Sequence, residues 1–246
     1  GADRPFFGLQ PPGLDGVTHA HRSVEDLARH YIGAIEHERH EFPSIVAGHS
    51  FGGLVAFEMA RQLQDAGHPP QVLVLIDTPA PQFLRPTGEN WSQAQWLAQV
   101  SEIVAHMYTV DARIGAGQFE ALEIDAQLGL LHRRLIAVGV LPVGSDIRYF
   151  RGFVDVYKAN LSLSYAPKEL HGNTRVLLLR SREQQPEALV SEQFAVMRDT
   201  DDLGWKAYFD QPITVSEVPG DHLTMMRSPN VTVLAATLAG FCANDC

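Results

Sequence analysis

The chain has 246 residues and is 45% hydrophobic, which is enough to bury a full core as one domain or as a domain with an insertion. Its formal net charge of −10 argues against nucleic acid or an anionic membrane as a partner. No apolar run reaches the roughly 20 residues that span a bilayer, and no basic start precedes an apolar segment, so we expect neither a membrane anchor nor a signal peptide.

The first third of the chain predicts strands and helices in alternation. Short apolar or β-branched runs predict the strands, and apolar residues at helical spacing predict the helices. Ser23 is placed to cap the first helix, and Gly67 is placed to end the second. This alternation is typical of a parallel sheet with right-handed crossover connections. The predicted elements are a strand at 5–9, a helix at 24–39, a strand at 44–47, a helix at 51–66 and a strand at 72–76.

A Gly-x-Ser-x-Gly turn, Gly48-His49-Ser50-Phe51-Gly52, stands between the second of these strands and the helix that follows it. A serine hydroxyl is a weak nucleophile unless its Oγ stands clear of the backbone beside a base, and a tight strand-to-helix turn exposes it in this way. Gly48 and Gly52 would let neighbouring backbone pass close by. Such pentapeptides also occur in ordinary turns. Here the flanking strand and helix favour a nucleophile elbow, with Ser50 as the nucleophile.

The region after the third strand contains helical patterns and no predicted strand. We therefore divide the chain into a core of residues 1–82 and 170–246 and a helical insertion of residues 83–169. Because the insertion follows the carboxyl end of a sheet strand, we interpret it as a lid that would exclude water and shape an acyl pocket. Helices that merely extend the core are the alternative. The predicted helices are at about 92–108, 118–138 and 146–164, separated by turns that contain glycine or proline.

After the insertion, the sheet resumes with an apolar run at 175–179, and a last strand is predicted at 213–218. His222 follows that strand in a Pro-Gly-Asp-His loop, before a closing helix at 230–241. An α/β-hydrolase places its base at this point, and Ser, Asp, His is the order of catalytic residues in that fold. We therefore predict an α/β-hydrolase fold, with a mostly parallel central sheet, helices on both faces and the helical lid insertion.

Two positions are candidates for the acid that orients His222. Asp77 directly follows the third predicted strand, and Glu183 is the only carboxylate just after the fourth. We favour Asp77 because nothing separates it from its strand, although a lone aspartate there would also serve to cap a loop. Asp221 is expected to be exposed and His49 to serve in packing, so neither receives a catalytic role.

The sequence gives little support for metal or disulfide chemistry. Cys242 and Cys246 stand at the extreme C-terminus and cannot form a disulfide framework, so a reducing cytoplasm is the simplest setting. The chain has no His-Glu-x-x-His, no paired Cys-x-x-Cys and no glycine-rich phosphate loop. We expect this domain to bind no metal and no other cofactor.

Five stretches together resemble the thioesterase domains of polyketide and nonribosomal peptide synthetases. The resemblance covers nearly the whole chain outside the insertion. It implies that the acid is Asp77, as in the chain-releasing members, whereas free-standing editing thioesterases usually carry it after the later strand. The stretches are FGLQPPG at 7–13, GHSFGG at 48–53, LIDTP at 75–79, DLGW at 202–205 and VPGDH at 218–222.

The resemblance also implies a feature that the printed sequence does not contain. Members of the family begin with a further strand and a His-Pro-x-Gly-Gly-like loop, and a backbone N–H of that loop joins the N–H of Phe51 in the oxyanion hole. We therefore expect the N-terminal strands of the core, and the second oxyanion donor, to be encoded upstream of Gly1.

The function that the resemblance implies is chain release. Ser50, His222 and Asp77 would take an acyl or peptidyl chain from the phosphopantetheine thioester of a carrier protein in the same polypeptide, and release it by hydrolysis or macrocyclisation. One alternative is a stand-alone serine esterase or an editing (type II) thioesterase. Another is a non-catalytic binding module on a hydrolase fold, but such modules usually lack a triad member. The released product, and its polyketide or peptide origin, stay open.

Overall fold

The computed structural model describes residues 5–39, 41–186, 189 and 200–243, and Cys246 lies outside them. Over these residues the chain forms seven α-helices and four strands. None of the helices in the described parts of the chain is long and apolar enough to cross a membrane. In chain order the elements are α1 (Val24–Arg39), β1 (Ile45–His49), α2 (Phe51–Asp65), β2 (Val72–Ile76), α3 (Gln93–Tyr108), α4 (Ala116–Glu120), α5 (Ile124–Ala137), α6 (Ile147–Ser162), β3 (Arg175–Ser181), β4 (Thr214–Val218) and α7 (Asn230–Ala243).

These elements divide into two compact units. The sheet unit takes in Arg22–Leu84 together with the described residues before Gln10 and after Leu163, and therefore holds all four strands. The helical unit takes in Gln10–His21 and Arg85–Leu163, and therefore holds α3 to α6.

The four strands form one parallel sheet in the order β1-β2-β3-β4. In its register Ile45 lies beside Val72, Val72 beside Arg175, and Leu177 beside Thr214. Because all the strands run in the same direction, their carboxyl ends lie along one edge of the sheet. Residues that follow the strands are brought together at that edge, where open α/β sheets build their sites.

β2 is buried along its whole length, which explains why its sequence is apolar without alternation. Val72, Val74 and Ile76 pack in one cluster with residues of β3 and α7. Leu73 and Leu75 alternate to the opposite face, where α2 packs, and have 0% exposure. Each such buried side chain contributes about 1.5–3 kcal/mol to stability. Helices therefore cover both faces of the sheet.

The helical unit has a hydrophobic core of its own. Phe119, Leu131 and other apolar side chains of α3 to α6 form one contiguous buried cluster. α3 begins with a capping box, in which the Ser92 side chain accepts a hydrogen bond from the Gln95 N–H and the Gln95 side chain accepts one from the Ser92 N–H. The unit is therefore held by its own packing and capping.

Two predicted elements differ from the structure. Residues 5–9 form no strand, because none of the four strands in the described residues pairs with them; Phe6 is 88% exposed. The helix predicted at 118–138 is two helices, α4 and α5. The chain turns between them because Glu123 is extended at the start of α5, with φ −59° and ψ 148°.

Candidate active site

Ser50 stands in the sharp turn between β1 and α2. Its backbone has φ 55° and ψ −125°, a conformation that side-chain-bearing residues rarely adopt. Two backbone hydrogen bonds hold the turn, from the Ser50 N–H to the Ile76 oxygen and from the Gly53 N–H to the Ser50 oxygen, each 2.9 Å long. This geometry is that of a nucleophile elbow, in which the serine Oγ projects from the end of the strand.

Close packing around the elbow requires glycine at positions 48 and 53, whereas we expected it at positions 48 and 52. A Cβ at Gly48 would collide with the Gly52 carbonyl oxygen, and a Cβ at Gly53 would collide with the Thr78 side chain. A Cβ at Gly52, where we predicted a close approach, would meet nothing within 4 Å outside its own helix. The prediction was therefore right about Gly48 and wrong about Gly52. Gly53 lets α2 lie against the loop that follows β2.

His222 connects the serine to the aspartate that follows β2. Its Nε2 lies 2.9 Å from the Ser50 Oγ, and its Nδ1 lies 2.9 Å from the Asp77 Oδ2. His222 is only 9% exposed and Asp77 only 2%. The structure thus brings together the three residues that the sequence singled out, at distances suited to proton transfer from the serine to the imidazole.

Asp77 is held from several directions. Its backbone has φ 45°, and its N–H donates to the Leu179 oxygen at 2.7 Å. Its carboxylate accepts a hydrogen bond from the Ser181 N–H on Oδ1 at 2.7 Å and one from the Ser181 Oγ on Oδ2 at 2.9 Å. Burial by itself raises the pKa of Asp77, but the hydrogen bonds from His222 and Ser181 and the charge of His222 outweigh it and hold the pKa below 3.8. Asp77 is therefore ionised at neutral pH.

Sequence reasoning did not identify Ser181, although a signal was present. Ser181 is a polar residue at the carboxyl end of β3, next to β2, and it is 1% exposed. Neighbouring parallel strands end at the same edge, so a hydroxyl there is well placed to meet Asp77. Glu183, the alternative acid, is exposed, and its backbone N–H donates to the Gly220 oxygen at 3.2 Å.

Asp221, expected to be exposed, is 6% exposed, and that prediction was wrong. Its Oδ1 accepts hydrogen bonds from the N–H groups of Leu223 and Thr224 and from the Thr224 hydroxyl, each 2.9 Å long. The aspartate folds back on its own loop because these nearby donors satisfy its carboxylate there. Asp221 therefore orders the loop that carries His222.

His49 makes a specific contact that its expected packing role does not include. Its Nε2 lies 2.9 Å from the backbone oxygen of His222, and the two imidazole rings have centroids 4.8 Å apart at 33°. Burial and the nearby charge of His222 lower the pKa of His49 to about 4. His49 is therefore neutral at neutral pH.

The start of α2 offers a hydrogen-bond donor beside the serine. Phe51 is the first residue of α2, and its N–H has no carbonyl four residues earlier in the helix to bind. The positive end of the helix dipole lies at the same place, which favours negative charge there. Among the residues that the structure describes, no group of three or more His, Cys, Asp or Glu side chains is placed to hold a metal ion.

Comparison with known proteins gives consistent matches. Residues 2–242 match the model of the thioesterase domain family. The chain is 28% identical to chondramide synthase cmdD of Chondromyces crocatus over 97% of its length, and 26% identical to a dimodular nonribosomal peptide synthase of Bacillus subtilis (strain 168), also over 97%. It spans only 6% and 9% of the lengths of these two relatives.

Solved structures match the fold over nearly the whole chain. Holo-AB3403, a four-domain nonribosomal peptide synthetase, aligns with a TM-score of 0.78 and 27% identity, covering 95% of this chain and 17% of that one. The Vlm2 thioesterase domain aligns with a TM-score of 0.63 and 22% identity, covering 94% of this chain and 80% of that one. The predicted fold class, a parallel α/β sheet of the hydrolase type, is confirmed.

Proposed function

The chain belongs to the thioesterase domain family, and from that premise we propose that it receives an acyl or peptidyl chain as a thioester, holds it as an ester on Ser50 and then releases it. The observation that carries the proposal is the hydrogen-bonded row Ser50–His222–Asp77, whose two contacts are each 2.9 Å and lie within one compact unit. A buried base between a strained serine and an ionised aspartate is an arrangement that supports acyl transfer.

In the first half of the proposed reaction, the Ser50 Oγ attacks the thioester carbonyl carbon while its proton passes to the His222 Nε2. The carbonyl oxygen becomes an oxyanion, and the Phe51 N–H donates a hydrogen bond to it. When the intermediate collapses, the C–S bond breaks and the departing sulfur takes the proton from His222. The products are a free thiol and an ester of the acyl chain with Ser50.

In the second half, a water molecule or a hydroxyl or amine of the acyl chain itself attacks the ester. His222 takes the proton of the attacking group and then returns a proton to the Ser50 Oγ as the C–O bond breaks. Asp77 keeps a proton on the His222 Nδ1, which leaves Nε2 free to act as the base, and its charge stabilises the imidazolium. Water yields a carboxylic acid, and an internal nucleophile yields a macrolactone or a macrolactam.

The relatives suggest where the thioester comes from. Two of the proteins that the chain resembles are named as synthases, and the chain matches only a small part of each. We propose that the thiol is the phosphopantetheine arm of a carrier protein domain in the same polypeptide. Fusion of the two domains would raise the effective concentration of the loaded arm, so even weak docking would suffice. The interpretation of residues 83–169 as a lid stays a prediction.

The experiment compares one acyl group presented in three ways: on the phosphopantetheine of a carrier protein, as a small soluble thioester, and as a soluble oxygen ester. We expect kcat/KM to be highest for the carrier-bound thioester and lowest for the oxygen ester. Equal turnover of the two soluble esters, with no preference for the carrier, would favour the stand-alone esterase or editing enzyme. No turnover of any of the three would favour the non-catalytic module.

A further inference from the structure

We propose that His49 is a positioning residue for His222, which it holds through the backbone of His222 rather than through its ring. The inference rests on the proposed function, because it concerns the base of that same reaction. The observation that points to it is the 2.9 Å contact between the His49 Nε2 and the His222 backbone oxygen. A side chain that served only in packing would need no such contact.

The direction of this hydrogen bond follows from the chemistry of its two partners. A carbonyl oxygen can only accept, so the His49 Nε2 must carry a proton and donate it. Because His49 is neutral at neutral pH, its other ring nitrogen, Nδ1, then carries none. The contact therefore selects one tautomer of His49.

The hydrogen bond acts where the base most needs support. His222 lies in the loop after β4 and belongs to no helix or strand. Its ring contacts Ser50 and Asp77, but those contacts place the ring correctly only if the backbone below it stays in place. His49 is the last residue of β1 and precedes Ser50 directly. The nucleophile and the support for its base are therefore consecutive residues, so the two cannot shift independently.

The neutrality of His49 matters for the same reason. The two rings lie with centroids 4.8 Å apart, and a positive charge on His49 would oppose the imidazolium that forms on His222 during acyl transfer. The charged or titratable side chains that act on His49 are those of His222 and Asp77. A neutral donor holds the loop without this repulsion. A lysine or arginine at the same position would be charged and would therefore repel the imidazolium.

The test uses substitutions that separate the donor from the ring. His49→Gln keeps an N–H donor and loses the ring, His49→Met has nearly the size of glutamine with no donor, and His49→Phe keeps an aromatic ring with no donor. Steady-state kinetics with a soluble acyl thioester are measured over a range of pH, and thermal unfolding identifies any variant that fails to fold.

We expect kcat to fall about tenfold in His49→Met and His49→Phe, the effect of losing one hydrogen bond that positions the base. KM should change little, and the pH at which kcat/KM begins to fall on the acidic side should shift. His49→Gln should recover most of the lost kcat. Full activity in His49→Phe with an unchanged pH profile, or equal losses in His49→Gln and His49→Met, would overturn the proposal.

A second readout keeps this test independent of the proposed function. We expect the proton on the His222 Nδ1, which lies 2.9 Å from Asp77 Oδ2, to give a low-field NMR signal in the absence of substrate. We expect the signal to be sharp in wild type and His49→Gln, and to broaden or shift in His49→Met and His49→Phe. An unaltered signal in all variants contradicts the role of His49, whereas a wild type that shows the signal but turns over no thioester contradicts only the proposed function.

Discussion

Ser50 and Asp77 both adopt positive φ, 55° and 45°, although neither is a glycine. Each stands directly after a strand of the parallel sheet, where backbone hydrogen bonds to neighbouring strands hold the turn against its strain. Straining these residues costs stability, but it aims both side chains at His222 instead of letting them follow the strand. The strained backbone at these two residues therefore places their side chains for the chemistry of the site.

Ser181→Ala tests whether the hydroxyl of Ser181 acts through Asp77. The substitution removes the 2.9 Å hydrogen bond to Asp77 Oδ2 but leaves the 2.7 Å backbone bond to Oδ1. We expect kcat to fall by tenfold or less, since one of the bonds that orient the carboxylate remains. Steady-state kinetics of the single and double variants with Asp77→Asn form the measurement.

In the Asp77→Asn background, Ser181→Ala should have little further effect, because the group on which it acts has changed. If the two losses multiply fully instead, Ser181 does not work through Asp77.

The low pKa of His49 predicts a pH-dependent stability. Folding lowers that pKa from 6.5 to about 4, so between these values the unfolded chain binds a proton that the folded chain does not. The free energy of unfolding therefore falls as the pH falls through this window, by about 2 kcal/mol between about pH 7 and about pH 5. Urea unfolding of wild type and His49→Gln at the two pH values measures it.

His49→Gln should lose less stability over that interval, since glutamine does not titrate and the other histidines are common to both proteins. Equal losses in the two proteins would show that His49 titrates normally. Asp77 acts in a lower window: its pKa lies below 3.8 in the folded state, so its contribution is present above that value and is lost as the pH falls further.

The helices and strands could be predicted from the sequence wherever a segment carries its own hydrophobic pattern. β2 is an unbroken apolar run and α2 has helical spacing up to Gly67, so their positions were predicted to within a residue or so. Residues 5–9 show the opposite case, because a strand exists only beside a hydrogen-bonding partner and periodicity does not reveal one. The short turn before α5 was missed because a helix is predicted from apolar residues spaced over several turns, and the break contains fewer residues than that.

Phe119 and Phe153 provide a matched test of packing in the helical unit. Phe119 has 0% exposure within the core of that unit, whereas Phe153 is 45% exposed on α6. We expect Phe119→Ala to cost about 3–5 kcal/mol of unfolding free energy and Phe153→Ala much less. Denaturant unfolding followed by circular dichroism measures both. Comparable losses from the two substitutions would contradict the assignment of Phe119 to the core.

Chain order predicted more of the site than any single residue did. A serine, an aspartate and a histidine, each following a strand, were identified because parallel strands end at one edge. Ser181, at the carboxyl end of β3, was open to the same argument but was not identified, whereas the contact between His49 and His222 could not be predicted in this way. That contact depends on the distance between elements that are far apart in the sequence, and it is made to a backbone oxygen, which every residue carries.

Mass spectrometry of the protein after brief exposure to an acyl thioester tests directly whether Ser50 carries the acyl chain. We expect wild type to gain the mass of one acyl group, located by peptide mapping on the segment that contains Ser50. Ser50→Ala should gain none, and Asp77→Asn should gain it far more slowly, since the imidazole loses the partner that fixes its tautomer. An adduct on Ser50→Ala, or an adduct on wild type located at another residue, would contradict the role of Ser50 as the nucleophile.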